Sequence, residues 1–190
     1  MDYVYRYLFS ALWLGWVLCW IVFARNVKAT VQRESWSSRL LHVVPLLIAM
    51  YLLWADRVPT AFLNERILPP AAWPFWVGAI LTASGLLFTV WARVHLGRNW
   101  SGTVTIKQGH ELITSGPYAF VRHPIYTGLL LALFGSAIAR AEWRGVLGFA
   151  LASVALWRKL RSEEHFMRQQ FGKAYQAYSE RVAALIPFVF

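Results

Sequence analysis

Of 190 residues, 58% are hydrophobic and 16% aromatic, with 11 tryptophans, which excludes an ordinary soluble domain of this length and places the chain among membrane proteins. A net charge of +10 in such a chain bears first on orientation across the bilayer, and nucleic acid is not an expected partner. The single cysteine, Cys19, lies within an apolar run, so an intrachain disulfide is excluded and a core role is expected.

Charge-free runs cover residues 7–24, 40–55 and 67–92, with shorter ones at 124–139 and 145–157. At about 1.5 Å per residue the first and third can cross a hydrocarbon core of roughly 30 Å, and the second does so with its flanks. Arg6 precedes the first run, but the run is long and no small-x-small cleavage site follows, so it reads as a helix rather than a secretory signal. Pro69, Pro70 and Pro74 suit the start of the third helix and Gly97 its end. Only residues 140–144 separate the two short runs, which therefore read as a helical hairpin with snorkelling cationic ends. The fold class expected is an all-α integral membrane protein of about five transmembrane helices.

Arg25, Lys28, Arg33 and Arg39 crowd the first connection, while Asp56, Arg57, Glu65 and Arg66 cancel in the second. Arg93, Arg98, Lys107 and Arg122 precede the fourth helix, and the tail is again rich in Lys and Arg. The positive-inside rule then places the first and third connections and the C-terminus in the cytoplasm. Within the third connection, β-branched residues 103–106, a turn at 107–109 and residues 110–114 read as a short hairpin or extended loop on that surface, able to cover a site. Beyond the fifth run, Phe166, Met167, Phe171, Tyr175 and Tyr178 recur at near-helical intervals among charges, as in an interfacial amphipathic helix, with a break expected at Gly172.

The densest polar cluster runs from Gly116-Pro117-Tyr118 to Arg122-His123-Pro124-x-Tyr126-x-Gly128. Taken singly, each residue reads more simply as a headgroup anchor. Together they put a cation, an imidazole and two phenols beside glycines that permit close approach, at the edge of an apolar segment where ionisable groups are costly unless they serve a function. Pro124 suits the first helical position, so Arg122 and His123 sit beside helix N-terminal amides that favour anions. The pair Glu163-Glu164 on its own reads as a solvated turn. His42, His95 and His165 lack a partner at ligand spacing, so no metal is expected. The chain also lacks a Gly-rich dinucleotide fingerprint and a phosphate loop.

Three linked pieces, Gly109-His110-x-Leu112, then Gly116 to Gly128 as above, then Glu163-Glu164 leading to Phe171-Gly172-x-x-Tyr175-x-x-Tyr178, resemble the isoprenylcysteine carboxyl methyltransferase family over roughly residues 95–190. The three N-terminal helices resemble it in hydropathy alone, and the chain is shorter than the eukaryotic members, without their extra N-terminal helices. The resemblance implies a multi-pass methyltransferase of the prokaryotic inner membrane using S-adenosylmethionine. Its acceptor would be lipophilic, a lipid or prenylated carboxylate. It divides the single domain 1–190 into three helices over 1–97 and a cofactor-binding half over 98–190. Carried over by position, His110, Leu112, Gly116, Tyr118, Arg122, His123, Pro124, Tyr126, Glu163 and Glu164 would line the cofactor pocket. Arg158 and Arg161 would orient an acidic acceptor, with Glu164 or His123 as base were the acceptor an amine or thiol. On this reading Arg122→Ala and Glu164→Ala reduce methyl transfer without unfolding the protein. The other readings are a phospholipid methyltransferase, a sterol-reductase-like enzyme using reduced nicotinamide, and a noncatalytic membrane subunit.

Overall fold

The computed structural model describes residues 2–24, 30–33, 35–100, 105–107 and 111–187. The apolar runs fall in α1 (Asp2–Ala24), α2 (Trp36–Trp54), α3 (Trp73–Leu96), α4 (Pro124–Arg140) and α5 (Trp143–Phe171), followed by the short α6 (Lys173–Ser179). The ends are legible in the residues. Ser35 caps α2, its hydroxyl accepting the Ser38 amide at 3.3 Å, and Pro124 opens α4 in a turn whose amides have no helical partner. Gly97 and Gly172 end α3 and α5 at φ 55° and 49°, a left-handed conformation that glycine adopts without a Cβ penalty. The chain is an all-α membrane protein: α1, α2 and α3 are each long and apolar enough to cross a bilayer, and α4 is a shorter apolar helix.

Three expectations change, the third at the α4–α5 hairpin described below. The fifth apolar run and the amphipathic segment after it are one helix, α5, of 29 residues. Between Arg158 and Gln170 the sequence offers neither Gly nor Pro to break it. The extended residues Thr105–Lys107 (β2) pair antiparallel with Thr30–Arg33 (β1) in the first connection, and the described residues 111–114 form no strand beside them. Two connections at the same end of the bundle thus satisfy each other's backbone groups. Of the turn expected at 107–109, Lys107 ends β2, and residues 108–109, with His110, lie outside the described residues.

Helices α3 and α4 approach backbone to backbone. A Cβ built on Gly78 would lie 2.4 Å from the Gly135 carbonyl oxygen, and one on Gly85 would lie 2.5 Å from that of Gly128. The reverse contacts are equally close, 2.6 Å from Gly128 to the Gly85 oxygen and from Gly135 to that of Gly78. Both pairs are spaced by seven residues, two helical turns, so one stripe of each helix meets the other. In lipid, where burial of apolar surface does not drive helices together, small residues that allow such contact supply the packing. Polar bonds lock the seam: Thr82 Oγ1 donates to the Ala132 carbonyl at 3.1 Å, and Trp13 Nε1 of α1 donates to Ser136 Oγ at 3.2 Å.

The hairpin between α4 and α5 turns at Ala141, a left-handed residue at φ 57°. Its arginines do not snorkel. Arg144 is 2% exposed and donates to the Asp56 carbonyl at 3.1 Å and to that of Ala55, while Arg140 Nη2 reaches the Ala55 carbonyl at 2.7 Å. The carbonyls of Ala55 and Asp56, at and just past the C-cap of α2, are thus met by the neighbouring hairpin.

Replacing Gly135 by Val is expected to destabilise the protein despite valine's better helix propensity, a gain below about 1 kcal/mol. The added carbon meets backbone that cannot yield without parting α3 from α4, a cost of about 3 kcal/mol or more. Thermal unfolding in detergent, with Gly15→Val as the control in open space, checks this.

Candidate active site

A cavity of about 440 Å³ opens at the end of the bundle where α4 begins, within the range of sites for cofactor-sized ligands. The start of α4 contributes His123, Pro124 and Tyr126, and the preceding segment contributes Leu112 and Tyr118. From α5 come Leu156, Lys159, Glu163, Phe166 and Met167, residues three or four apart that share one helical face. Trp16 and Trp20 of α1, with rings 4.4 Å apart, and Trp100, edge-on to Trp20 at 6.0 Å, form an aromatic wall. The cavity therefore has a charged side and an aromatic side.

Behind the charged side, Glu164 is 6% exposed and its Oε1 accepts three hydrogen bonds. The donors are Arg122 Nε at 2.8 Å, Tyr175 OH at 2.9 Å and His123 Nε2 at 3.1 Å. Arg122 continues outward, its Nη1 donating to the Ser179 carbonyl at 3.0 Å and to that of Val182. The tail is fastened along its length: the Arg122 and His123 amides donate to the Ala183 and Ala184 carbonyls at 2.8 and 3.0 Å, and Thr127 Oγ1 donates to that of Leu185 at 2.7 Å. Tyr178 OH donates to the Tyr118 carbonyl at 2.6 Å, tying α6 to the segment that roofs the cavity.

His123 lies between the two glutamates, with Nδ1 3.7 Å from Glu163 and its ring stacked parallel to Tyr126 at 5.6 Å. Burial by itself would push its pKa down, but hydrogen bonds and charge from Glu163 and Glu164 outweigh it and raise the value. Burial would raise Glu164, yet its bonds to His123 and Arg122 hold it at about 2. Glu163, for which burial acts upward, is likewise lowered by His123, Lys159 and Tyr126. The Tyr175 phenol, buried and facing Glu164, is pushed up and stays protonated. Both carboxylates are therefore held ionised and weakly basic.

The structure brings together Leu112, Tyr118, Arg122, His123, Pro124, Tyr126 and Glu163 around the cavity. Glu164 stands behind them as the anchor of Arg122 and the tail. Gly116 (φ 59°) is needed because a Cβ there would meet the His95 ring at 2.7 Å, and Gly128 admits the backbone of α3; the close approach at both is to protein. Arg158 and Arg161 are exposed on α5, away from the cavity-lining face. The α5 cation that lines the cavity, beside Arg122 from the start of α4, is Lys159, its Nζ 5.5 Å from the Tyr126 ring centroid. It shares a helical face with Leu156 and Glu163, a phase visible in the sequence once α5 is continued past Trp157. Arg122 and Glu164 also hold the tail, so removing either is now expected to cost stability as well as turnover.

This cluster sets a pH dependence. Glu164, lowered in the fold, contributes stability above the ordinary carboxylate range that is lost as pH falls towards about 2. His123, raised in the fold, contributes stability below the ordinary imidazole value that is lost as pH rises through its folded value. Thermal unfolding in detergent is expected to peak between about pH 5 and 6.5. The Glu164 part of the acid limb, on the order of 2 kcal/mol after allowing for solvent screening, is expected to be lost in Glu164→Gln, leaving the part that Glu163 contributes.

Residues 73–174 match the phospholipid methyltransferase family, a stretch that starts at α3 and so reaches further towards the N-terminus than the motifs alone. It takes in both sides of the glycine seam and the cavity-lining face of α5. A probable protein-S-isoprenylcysteine O-methyltransferase of Oryza sativa subsp. japonica is 30% identical over 154 residues, covering 76% of this chain and 79% of the relative. Protein-S-isoprenylcysteine O-methyltransferase A of Arabidopsis thaliana is 32% identical over 138 residues, 67% of this chain and 68% of the relative. The Xenopus laevis protein-S-isoprenylcysteine O-methyltransferase is 25% identical over 191 residues, 92% of this chain and 64% of the relative. With the family match spanning more than half its length and laid over a membrane bundle whose cavity is lined by Tyr118, Arg122, His123, Tyr126 and Glu163 of the motifs, the chain belongs to the membrane methyltransferases that take in the phospholipid and isoprenylcysteine carboxyl methyltransferases.

Proposed function

We propose that this membrane methyltransferase binds S-adenosylmethionine in the cavity at the start of α4 and methylates the carboxylate of a lipophilic acceptor, a prenylated cysteine being the type its relatives' names describe. The observation that carries the reading is the pairing of an ionised Glu163 with Lys159 on one side of the cavity and tryptophans on the other. The methyl donor is a cationic sulfonium with an amino-acid zwitterion and a purine. The residues present fit such a molecule: Glu163 for positive groups, Arg122 for a carboxylate, and aromatic faces for the base.

When bound, S-adenosylmethionine supplies an electrophilic methyl group. The protein's part is to position and to exclude water. Glu163, held ionised by His123, Lys159 and Tyr126, offers a fixed anion to positive charge in the cavity. Trp16, Trp20 and Trp100 keep that side dry, which favours a reaction in which an anion and a cation neutralise each other. No proton has to be removed from a carboxylate acceptor. Glu164, at about 2 and with Oε1 accepting from three donors, is a poor base for an amine or thiol. Lys159 takes the role of orienting an acidic acceptor that the sequence assigned to Arg158 and Arg161. The Lys and Arg asymmetry supports a cytoplasmic C-terminus and a cavity facing the cytosol of a prokaryotic inner membrane. Residues 98–190 then form the half that binds cofactor against the three N-terminal helices.

Incubation of the purified protein with methyl-labelled S-adenosylmethionine, a farnesylated cysteine derivative and phosphatidylethanolamine tests the reading. Label is expected on the carboxylate of the prenylated compound. Label on the amine lipid alone would establish the phospholipid reading instead, and no transfer to either would remove the proposal. Lys159→Ala and Glu163→Gln are expected to lower kcat/KM more than tenfold, the loss of a charge-assisted contact worth on the order of 2 kcal/mol. Arg158→Ala and Arg161→Ala are expected to change it less than threefold.

A further inference from the structure

A second cavity, of about 680 Å³, opens at the opposite end of the bundle. Along α4 it begins at Ala139, ten residues beyond Leu129 of the first cavity, or about 15 Å of helix. Five arginines line it: Arg6, Arg57, Arg66, Arg140 and Arg144. Against them stand two carboxylates, Asp56 and Glu142, so five positive and two negative side chains leave an excess of three positive charges. Glu142 is shared by Arg140 and Arg144, and Asp56 reaches Arg6 at 3.5 Å. Among the described residues the Arg66 side chain makes one long bond, from Nη2 to the Pro69 carbonyl at 3.4 Å.

The cavity also has an apolar wall, formed by Phe9, Trp54 and Phe75. The buried Nε of Arg140 faces Glu142 Oε2 at 3.6 Å, too long for a hydrogen bond, and Nη2 of the same guanidinium donates to the Ala55 carbonyl. A guanidinium held between a carboxylate and backbone carbonyls has a fixed position. An excess of guanidinium groups beside aromatic surface, at the end of a membrane bundle, matches an anionic headgroup with an apolar body.

We infer that this cavity binds the phosphate group of a phosphate ester, with Arg57 and Arg66 as the accessible cations and Arg140 as the fixed one. The apolar wall favours a membrane phospholipid over a soluble ester as its source. The site is independent of the methyl-transfer cavity and does not rest on the reading given above.

Native mass spectrometry of the full chain in detergent, titrated separately with phosphatidylglycerol, phosphatidylcholine and glycerol 1-phosphate, tests the inference. Phosphatidylglycerol is expected to bind at least tenfold tighter than phosphatidylcholine. The double variant Arg57→Ser, Arg66→Ser is expected to abolish that preference without moving the thermal midpoint. A control that removes two exposed charges at the other end of the molecule, Lys173→Ser with Arg181→Ser, is expected to retain it. Glycerol 1-phosphate binding with the same dependence on Arg57 and Arg66 would support the phosphate site with a soluble source. Equal binding of both lipids with no binding of the soluble ester, or a double variant that binds like the parent, would overturn it and leave the arginines as caps and anchors.

Discussion

The carboxylate of Glu164 joins three parts of the chain that are far apart in sequence: the residues before α4, the body of α5, and α6 with the tail. Three donors converge on one of its oxygens. Through Arg122 the same contact extends to the carbonyls that end α6. An unpaired carboxylate at this depth would be expensive, and so would an unpaired Arg122; each is tolerable because of the other. Without this junction, His123 would lose one of its two acidic neighbours and the tail its hold on the start of α4. The cavity wall would then have no fixed position. Glu163, one residue earlier and turned by about 100°, faces the cavity instead. Adjacent glutamates thus face different ways: one holds the walls together and the other lines the cavity.

The glycine seam between α3 and α4 is the second constraint. It fixes α4 against α3 along two turns and so sets where the start of α4 stands relative to the tryptophans of α1. Trp16 Nε1 donates to Thr89 Oγ1 at 2.6 Å, so the aromatic wall is pinned to the same helix that carries the seam. Charged and aromatic sides of the cavity are positioned through one rigid pair of helices. A family match that begins at α3 covers this pair as well as the polar motif.

Much of this was legible in the residues. Pro124 marked the start of α4, Gly97 and Gly172 marked helix ends, and the cluster from Tyr118 to Tyr126 marked one wall of the cavity. What stayed hidden depended on partners distant in sequence. Gly128 could admit a ligand or a helix, and only the opposing Gly85 decides between them. Arg140 and Arg144 could reach headgroups or carbonyls, and the end of α2 decides. Arg158 and Arg161 were attractive by charge alone, whereas continuing the helical phase from Leu156 selects Lys159. That step required treating α5 as one helix across a sharp change from apolar to charged composition. The pairing of β1 with β2 was not recoverable, since two short extended segments carry no register signal of their own.

The central claim is that Glu164 holds the tail against the start of α4 and thereby shapes the cavity. Hydrogen exchange of the detergent-solubilised protein measures this directly, because the Arg122 and His123 amides are bonded to tail carbonyls. In Glu164→Ala these two amides are expected to lose protection together, while the seam residues of α3 and α4 keep theirs. Parent-like protection at Arg122 and His123 in that variant would contradict the account, since the tail would then be held without the carboxylate.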